Sequence, residues 1–113
     1  MHELSIAESM LHAVEDAARR NAAERVALIS LEIGALAPVE REALCFCFDV
    51  VARGTIAEGA RFEIVETPGA AWCAPCQVEV PLAAIGDACP RCGGYELEVV
   101  QGNEMRVREI EIT

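Results

Sequence analysis

The feature that most constrains the fold of this chain is a set of four cysteines, arranged as two C-x-x-C pairs: Cys73, Cys76, Cys89 and Cys92. In each pair a tight turn directs two sulfur atoms toward one point, and two such turns supply a tetrahedron of ligands. Gly93 follows the second pair, where the turn needs a positive φ or a close backbone approach, while Gln77 follows the first. The spacing predicts a metal site. A pair of disulfides is the alternative, and it requires an oxidising compartment.

Zinc and iron both accept four thiolates in tetrahedral geometry. An iron centre of the rubredoxin type packs aromatic side chains around the metal, whereas only Trp72 and Tyr95 lie near these cysteines in the sequence. The pattern therefore favours Zn(II), and a rubredoxin-like electron carrier is kept as an alternative. Because thiolates fill all four positions, the predicted zinc has no open coordination site and is structural.

The cysteines lie in a stretch of distinct composition, from about residue 68 to residue 101, which holds four of the five prolines and few large apolar residues. Some thirty residues of this kind cannot bury a hydrophobic core large enough to fold, and they need a metal ion or disulfides to stabilise them. We therefore predict a zinc-ribbon domain over 68–101. It is inserted into an α+β domain formed by 1–67 and 102–113.

The remainder of the chain shows helical and strand periodicities in alternation. Ser5 and Glu8 have the spacing of a capping box, which predicts a helix over 5–21. VALISLEIG at 26–34 alternates as a strand with one buried face, and Pro38 and Gly54 bracket a second helix at 38–53. Strands are predicted at 60–66 and 104–113, with a bulge near Arg108 or Glu109 in the last. The predicted fold is a small three-stranded, mostly antiparallel sheet with two helices plus the inserted four-cysteine ribbon.

Charge and composition exclude several classes of function. The formal net charge is −10 and all nine cations are arginine, so nucleic acid is a poor partner and a zinc-ribbon adaptor for nucleic acid is a weaker alternative. No stretch has the length and apolarity of a membrane span. The N-terminus lacks the basic region of a signal peptide, which predicts a cytoplasmic protein. The chain has two histidines and no lysine, and no catalytic constellation is present, so we expect no enzymatic activity.

The first three residues offer a second candidate metal site. A bulky second residue is expected to preserve Met1, whose free amine then directly precedes His2. That amine, the deprotonated amide nitrogen of His2 and the His2 imidazole can form fused chelate rings on one ion, which suits Ni²⁺ or Cu²⁺. The Glu3 nitrogen, the Glu3 carboxylate or a group from elsewhere could supply a fourth ligand. Cys45 and Cys47 are interpreted as buried thiols that act as small hydrophobic side chains. His12, on the polar face of the first helix, is interpreted as a solvated histidine.

The opening MHELSIAESM, the segment LCFCFDVVARGT, the four-cysteine stretch and the closing GNEMRVREIEI together resemble the HypA/HybF family over the whole chain. Members of that family are nickel metallochaperones for maturation of [NiFe]-hydrogenase. The resemblance implies a nickel site at Met1, His2 and Glu3, and zinc at the four cysteines. It also implies a HypB-type GTPase and the hydrogenase large-subunit precursor as partners. Departures from the family pattern occur at Met105 and Gln77. Whether the chain forms a homodimer stays open.

Overall fold

A computed structural model describes residues 2–113, so that Met1 lies outside the described residues. The secondary structure follows the order α1 (Glu3–Arg20), β1 (Val26–Gly34), α2 (Arg41–Ala52), β2 (Arg61–Thr67), β3 (Ala70–Cys73), β4 (Val78–Pro81), β5 (Leu97–Gln101) and β6 (Met105–Ile112). The predicted fold class is confirmed: two helices accompany small sheets, and the four cysteines cluster.

Helix α1 begins two residues earlier than the sequence predicted. His2 is the N-cap residue and its carbonyl oxygen accepts from the Ile6 amide at 3.1 Å, while no side chain caps the helix. The predicted capping box of Ser5 and Glu8 is therefore wrong. Glu3 occupies the first helical position, where the positive end of the helix dipole stabilises its carboxylate. The extension places His2, a ligand of the predicted N-terminal metal site, at the start of the helix.

The inner face of α1 is apolar at a spacing of three and four residues. Its buried side chains are Ala7, Met10, Leu11, Val14 and Ala18. Helix α2 begins at Arg41 and not at Pro38, because the Glu40 side chain caps it by accepting from the amides of Glu42 and Ala43. It ends as predicted before Gly54, which has a φ of +76°.

The first sheet has the strand order β2-β1-β6. Its central strand β1 coincides with the predicted segment, but its burial does not alternate: Leu28 and Ser30 are buried as well as Ile29, Leu31 and Ile33. Both faces of the central strand β1 are therefore largely buried, whereas the sequence predicted one buried face. In β6 Arg108 and Glu109 are both exposed, so the predicted break in alternation is present in the burial pattern.

A second sheet, of order β4-β3-β5, lies within the predicted ribbon, whose individual strands the sequence did not predict. Strand β3 pairs antiparallel with β4 and β5, so Cys73 lies opposite Val78 on one side and Leu97 on the other. Strands of four and five residues with little alternation give almost no periodic signal, which explains why they escaped prediction.

The contacts divide the chain into two compact units. The first comprises the chain up to Leu31, Pro38–Ile64 and Arg106–Thr113, and the second comprises Glu32–Ala37 and Val65–Met105. The predicted domains, 1–67 with 102–113 and 68–101, stay a prediction, since contacts do not test whether either part folds alone. In the second unit a Cβ on Gly34 would lie 1.9 Å from the Gly102 carbonyl oxygen, so this crossing admits only glycine.

Candidate metal centres

The four cysteines predicted to bind metal meet at one point in the second unit. Their sulfur atoms all lie within 4.8 Å of one another, and the sulfurs of Cys73 and Cys92 are 3.6 Å apart. Four thiolates at about 2.3 Å from a tetrahedral zinc ion would be separated by about 3.8 Å. The arrangement therefore fits zinc without a rearrangement of the backbone.

Each cysteine pair is held by the same turn. The Gln77 amide donates to the Cys73 carbonyl oxygen at 2.8 Å, and the Gly93 amide donates to the Cys89 carbonyl oxygen at 2.9 Å. Both closing residues are left-handed, with a φ of +52° at Gln77 and +74° at Gly93. Gln77 thus adopts the geometry that glycine adopts in the second turn. The replacement of the usual glycine by Gln77 therefore leaves the geometry of the first turn intact.

Backbone amides are directed at the sulfurs of the second pair. The Arg91 amide donates to Cys89 Sγ and the Gly94 amide to Cys92 Sγ, both at 3.4 Å. Hydrogen bonds from the backbone amides of Cys92 and then Arg91 lower the pKa of the Cys89 thiol to about 6, although desolvation acts in the opposite direction. Hydrogen bonding with Cys73 is the main cause that raises the pKa of Cys76 to about 12. A metal ion must therefore displace protons from some of these thiols, so its affinity falls as the pH falls.

Burial is uneven around the site. Cys73 and Cys89 are buried and pack with Val80, Cys76 is half-buried, and Cys92 is exposed. With four thiolates in place, no coordination position is left for a substrate or water. The donor set and the closed geometry suit a metal ion that supports the fold.

The N-terminal candidate lies at the beginning of α1. His2 is exposed, with a φ of −94° and a ψ of 74°, and Met1 lies outside the described residues. The first amides of an α-helix have no acceptor within the helix. Nitrogen atoms at this end can therefore bind an ion without the loss of a helical hydrogen bond. The chelate predicted for Met1 and His2 is compatible with the start of the helix.

The Glu3 carboxylate makes a contact that the sequence analysis missed. Glu3 Oε2 accepts from the Glu40 amide at 3.1 Å, across 37 positions of sequence. This bond is the main cause that lowers the pKa of the Glu3 carboxyl below its usual value. The side chain is thus ionised and attached to the N-cap residue of α2. No local motif could have predicted this contact, because its two partners are 37 positions apart in the sequence.

Other candidate ligands remain apart. Among residues 2–113, the four cysteines form the only group of three or more His, Cys, Asp or Glu side chains that could hold one ion. His12 is exposed on α1, and Cys45 and Cys47 are half-buried on α2. Burial is the main cause that raises the pKa of Cys45, which favours an unreactive thiol.

The fold and the site define a small metal-binding protein with one closed thiolate centre. A family model described as "Hydrogenase/urease nickel incorporation, metallochaperone, hypA" matches residues 1–112, and the chain therefore belongs to the HypA family. The predicted family is confirmed.

Similar proteins span essentially the full length. The hydrogenase maturation factor HypA of Albidiferax ferrireducens is 52% identical over 112 residues, which cover 99% of each chain. That of Azotobacter chroococcum is 54% identical over the same length. The solution structure of the Ni metallochaperone HypA from Helicobacter pylori has a TM-score of 0.73 and covers 99% of this chain and 97% of its own, at 24% identity.

These comparisons confirm the predicted role in hydrogenase maturation and nickel incorporation at the level of the family. The predicted metals, nickel as cargo and zinc at the four cysteines, agree with the family and with the thiolate site. The similar proteins are maturation factors. Within the described residues, no helix has the length and apolarity needed to cross a membrane.

Proposed function

We propose that the chain is a nickel carrier that binds Ni(II) through Met1, His2 and Glu3 and delivers it for [NiFe]-hydrogenase maturation. The cargo would be held by the N-terminal amine, the His2 amide nitrogen and the His2 imidazole, with Glu3 supplying a further ligand or a hydrogen bond. The family match to nickel incorporation carries the proposal. It involves no catalytic step by the protein.

The start of α1 supports this assignment. Because the helix begins at Glu3, the backbone of His2 is held by the bond between its carbonyl oxygen and the Ile6 amide. The exposed His2 side chain leaves room for a recipient to approach the ion. An ion held by few ligands at an exposed site exchanges more readily than one enclosed by four thiolates. This difference suits a cargo that must be handed on.

We assign structural zinc to Cys73, Cys76, Cys89 and Cys92. The stretch 68–101 would be a zinc-ribbon domain whose fold depends on that ion, because few large apolar side chains are available to it. The proposed partners are a HypB-type GTPase and the hydrogenase large-subunit precursor, as the family resemblance implies. Both encounters would take place in the cytoplasm.

Calorimetry with Ni²⁺ at neutral pH tests the nickel site. His2→Ala should weaken nickel binding by about a hundredfold or more, which corresponds to about 2.8 kcal/mol. His12→Ala is the matched control, since His12 is also exposed on α1 but far along the helix from the N-terminus. Zinc content should stay at one ion per chain in both variants. Equal nickel affinity in wild type and His2→Ala would refute the proposal.

A further inference from the structure

The unit that carries the four cysteines has a groove that contains none of the proposed metal ligands. The groove has a volume of about 200 Å³, and its walls are formed mainly by Leu82, Ile85, Asp87, Tyr95, Leu97 and Val99. It lies between one face of β5 and the loop that follows β4. All of these residues belong to the second unit.

The wall formed by β5 is fixed by the fold. Leu82 is buried in a cluster with Ala71, and Leu97 and Val99 pack against that cluster. The two β5 residues are also held in register, since Val99 lies opposite Ala71 in the sheet. A groove with such a wall exists before any ligand arrives, so little ordering is needed on binding.

Two large apolar side chains beside this wall are exposed to solvent. Ile85 is 62% exposed and Tyr95 is 73% exposed. Both side chains border the same groove and are not used to bury a core. Exposed apolar side chains clustered around a concavity mark binding surfaces, and tyrosine is enriched among the residues that dominate interface energetics.

The negative charge around the groove favours a positively charged ligand. Asp87 is part of the lining, and residues 68–101 contain four acidic residues and one arginine, a net charge of −3. Four thiolates and one Zn²⁺ would add a further −2. A basic segment would be attracted to this charge and an acidic one repelled, whereas a neutral segment would gain nothing from it, because complementary charge steers association.

We propose that this groove binds a segment of a partner protein in which one large apolar side chain is flanked by lysine or arginine. The apolar side chain lies against Leu97 and Val99 and is covered by Tyr95, and a flanking cation pairs with Asp87. None of the proposed nickel ligands lines this groove, so the proposal does not depend on where nickel binds.

Titration of the zinc-loaded full chain with synthetic peptides tests the proposal. The probe is a ten-residue peptide with a central Leu, two Lys on each side and Gly and Ser elsewhere. Amide NMR signals of Asp87, Leu97 and Val99 should shift with peptide concentration. A peptide with Ala in place of Leu should bind about tenfold more weakly or not measurably, and a peptide with Glu in place of Lys should not bind.

Variants of the protein locate the binding site. Tyr95→Ala should weaken the Leu peptide about tenfold, as expected for a dominant interface residue. Ile85→Ala is a second variant on an exposed loop, which keeps the test decisive if Tyr95→Ala fails to fold. Asp87→Asn should weaken binding about threefold and reduce its salt dependence. Val100→Ala is the control: Val100 is 50% exposed on β5 and, as a neighbour of Val99, points to the opposite face.

Several results would overturn the proposal. The first is equal binding of the Leu and Ala peptides. The second is unchanged binding to both Tyr95→Ala and Ile85→Ala. The third is no binding of the Leu peptide at millimolar concentration. In the absence of peptide, concentration-dependent shifts confined to the groove would identify a second copy of the chain as the ligand, and would also overturn it.

Discussion

The four-cysteine site and the nickel site proposed at the N-terminus of α1 would hold metal ions in opposite ways. The cysteine site draws its four sulfur atoms from two turns separated by residues 77–88, and backbone amides donate to the sulfurs of Cys89 and Cys92. The proposed N-terminal site would use consecutive residues at the start of α1, where His2 is exposed. At the cysteine site, the number and burial of the ligands favour retention of the zinc ion. At the proposed nickel site, exposure and a small set of ligands would favour release of the ion.

The largest effect should come from the closed site. Cys89→Ser removes a buried ligand, and we expect loss of zinc together with loss of ordered NMR signals from residues 70–101, because structural zinc supplies about 10 kcal/mol or more to such modules. Metal analysis and amide spectra measure both effects. Cys45→Ser, a change to a thiol outside the cluster, should retain one zinc. A Cys89→Ser protein with full zinc occupancy would contradict the closed site.

A smaller effect is expected at Glu3. Glu3→Gln removes the charge of a carboxylate that accepts from the Glu40 amide, so the residue no longer balances the charge of the bound ion. Nickel affinity should fall about tenfold, the scale of a lost supporting contact at a metal site. Zinc content should not change. Calorimetry gives the affinity, and Glu8→Gln, on the same helix, is the matched control.

The two cysteine turns can be compared directly through their left-handed residues. Gly93→Ala should lower the free energy of unfolding of the zinc-loaded protein by about 1 kcal/mol, because alanine resists a positive φ. A Cβ at Gly93 would meet no atom within 4 Å, so the cost is conformational. Gln77→Gly should change stability by about 0.5 kcal/mol or less, since strain relieved in the fold is offset by entropy gained on unfolding. Equal losses in both variants, measured by denaturant unfolding, would refute this account.

The smallest effect concerns pH. The pKa of Glu3 is lowered in the folded chain, chiefly by the Glu40 amide. A lowered folded pKa means that this contact stabilises the chain fully above the unfolded value, near 4.5. It is lost as the pH falls through the folded value. The Glu40 amide shift should therefore titrate with a midpoint below 4.5, and Glu3→Gln should abolish that step. A midpoint at or above 4.5 would contradict the contact.

The sequence predicted the thiolate site well because its information is local. Each C-x-x-C turn contains its own geometry, and only the meeting of the two turns required the fold. The helix start was mispredicted for the opposite reason. Ser5 and Glu8 match a local capping pattern, whereas Glu3 is held by a residue 37 positions away. The short strands β3 and β4 were missed because their stability comes from pairing and from the cysteine cluster, and their own periodicity is weak.

X-ray absorption at the nickel and zinc edges of one sample, loaded with both metals, tests the central claim most directly. That claim is that the chain separates an open cargo site from a closed structural site. We predict nickel surrounded by nitrogen and oxygen with no sulfur, and zinc surrounded by four sulfurs at about 2.3 Å. Nickel with sulfur ligands would place the cargo among the cysteines and contradict the account.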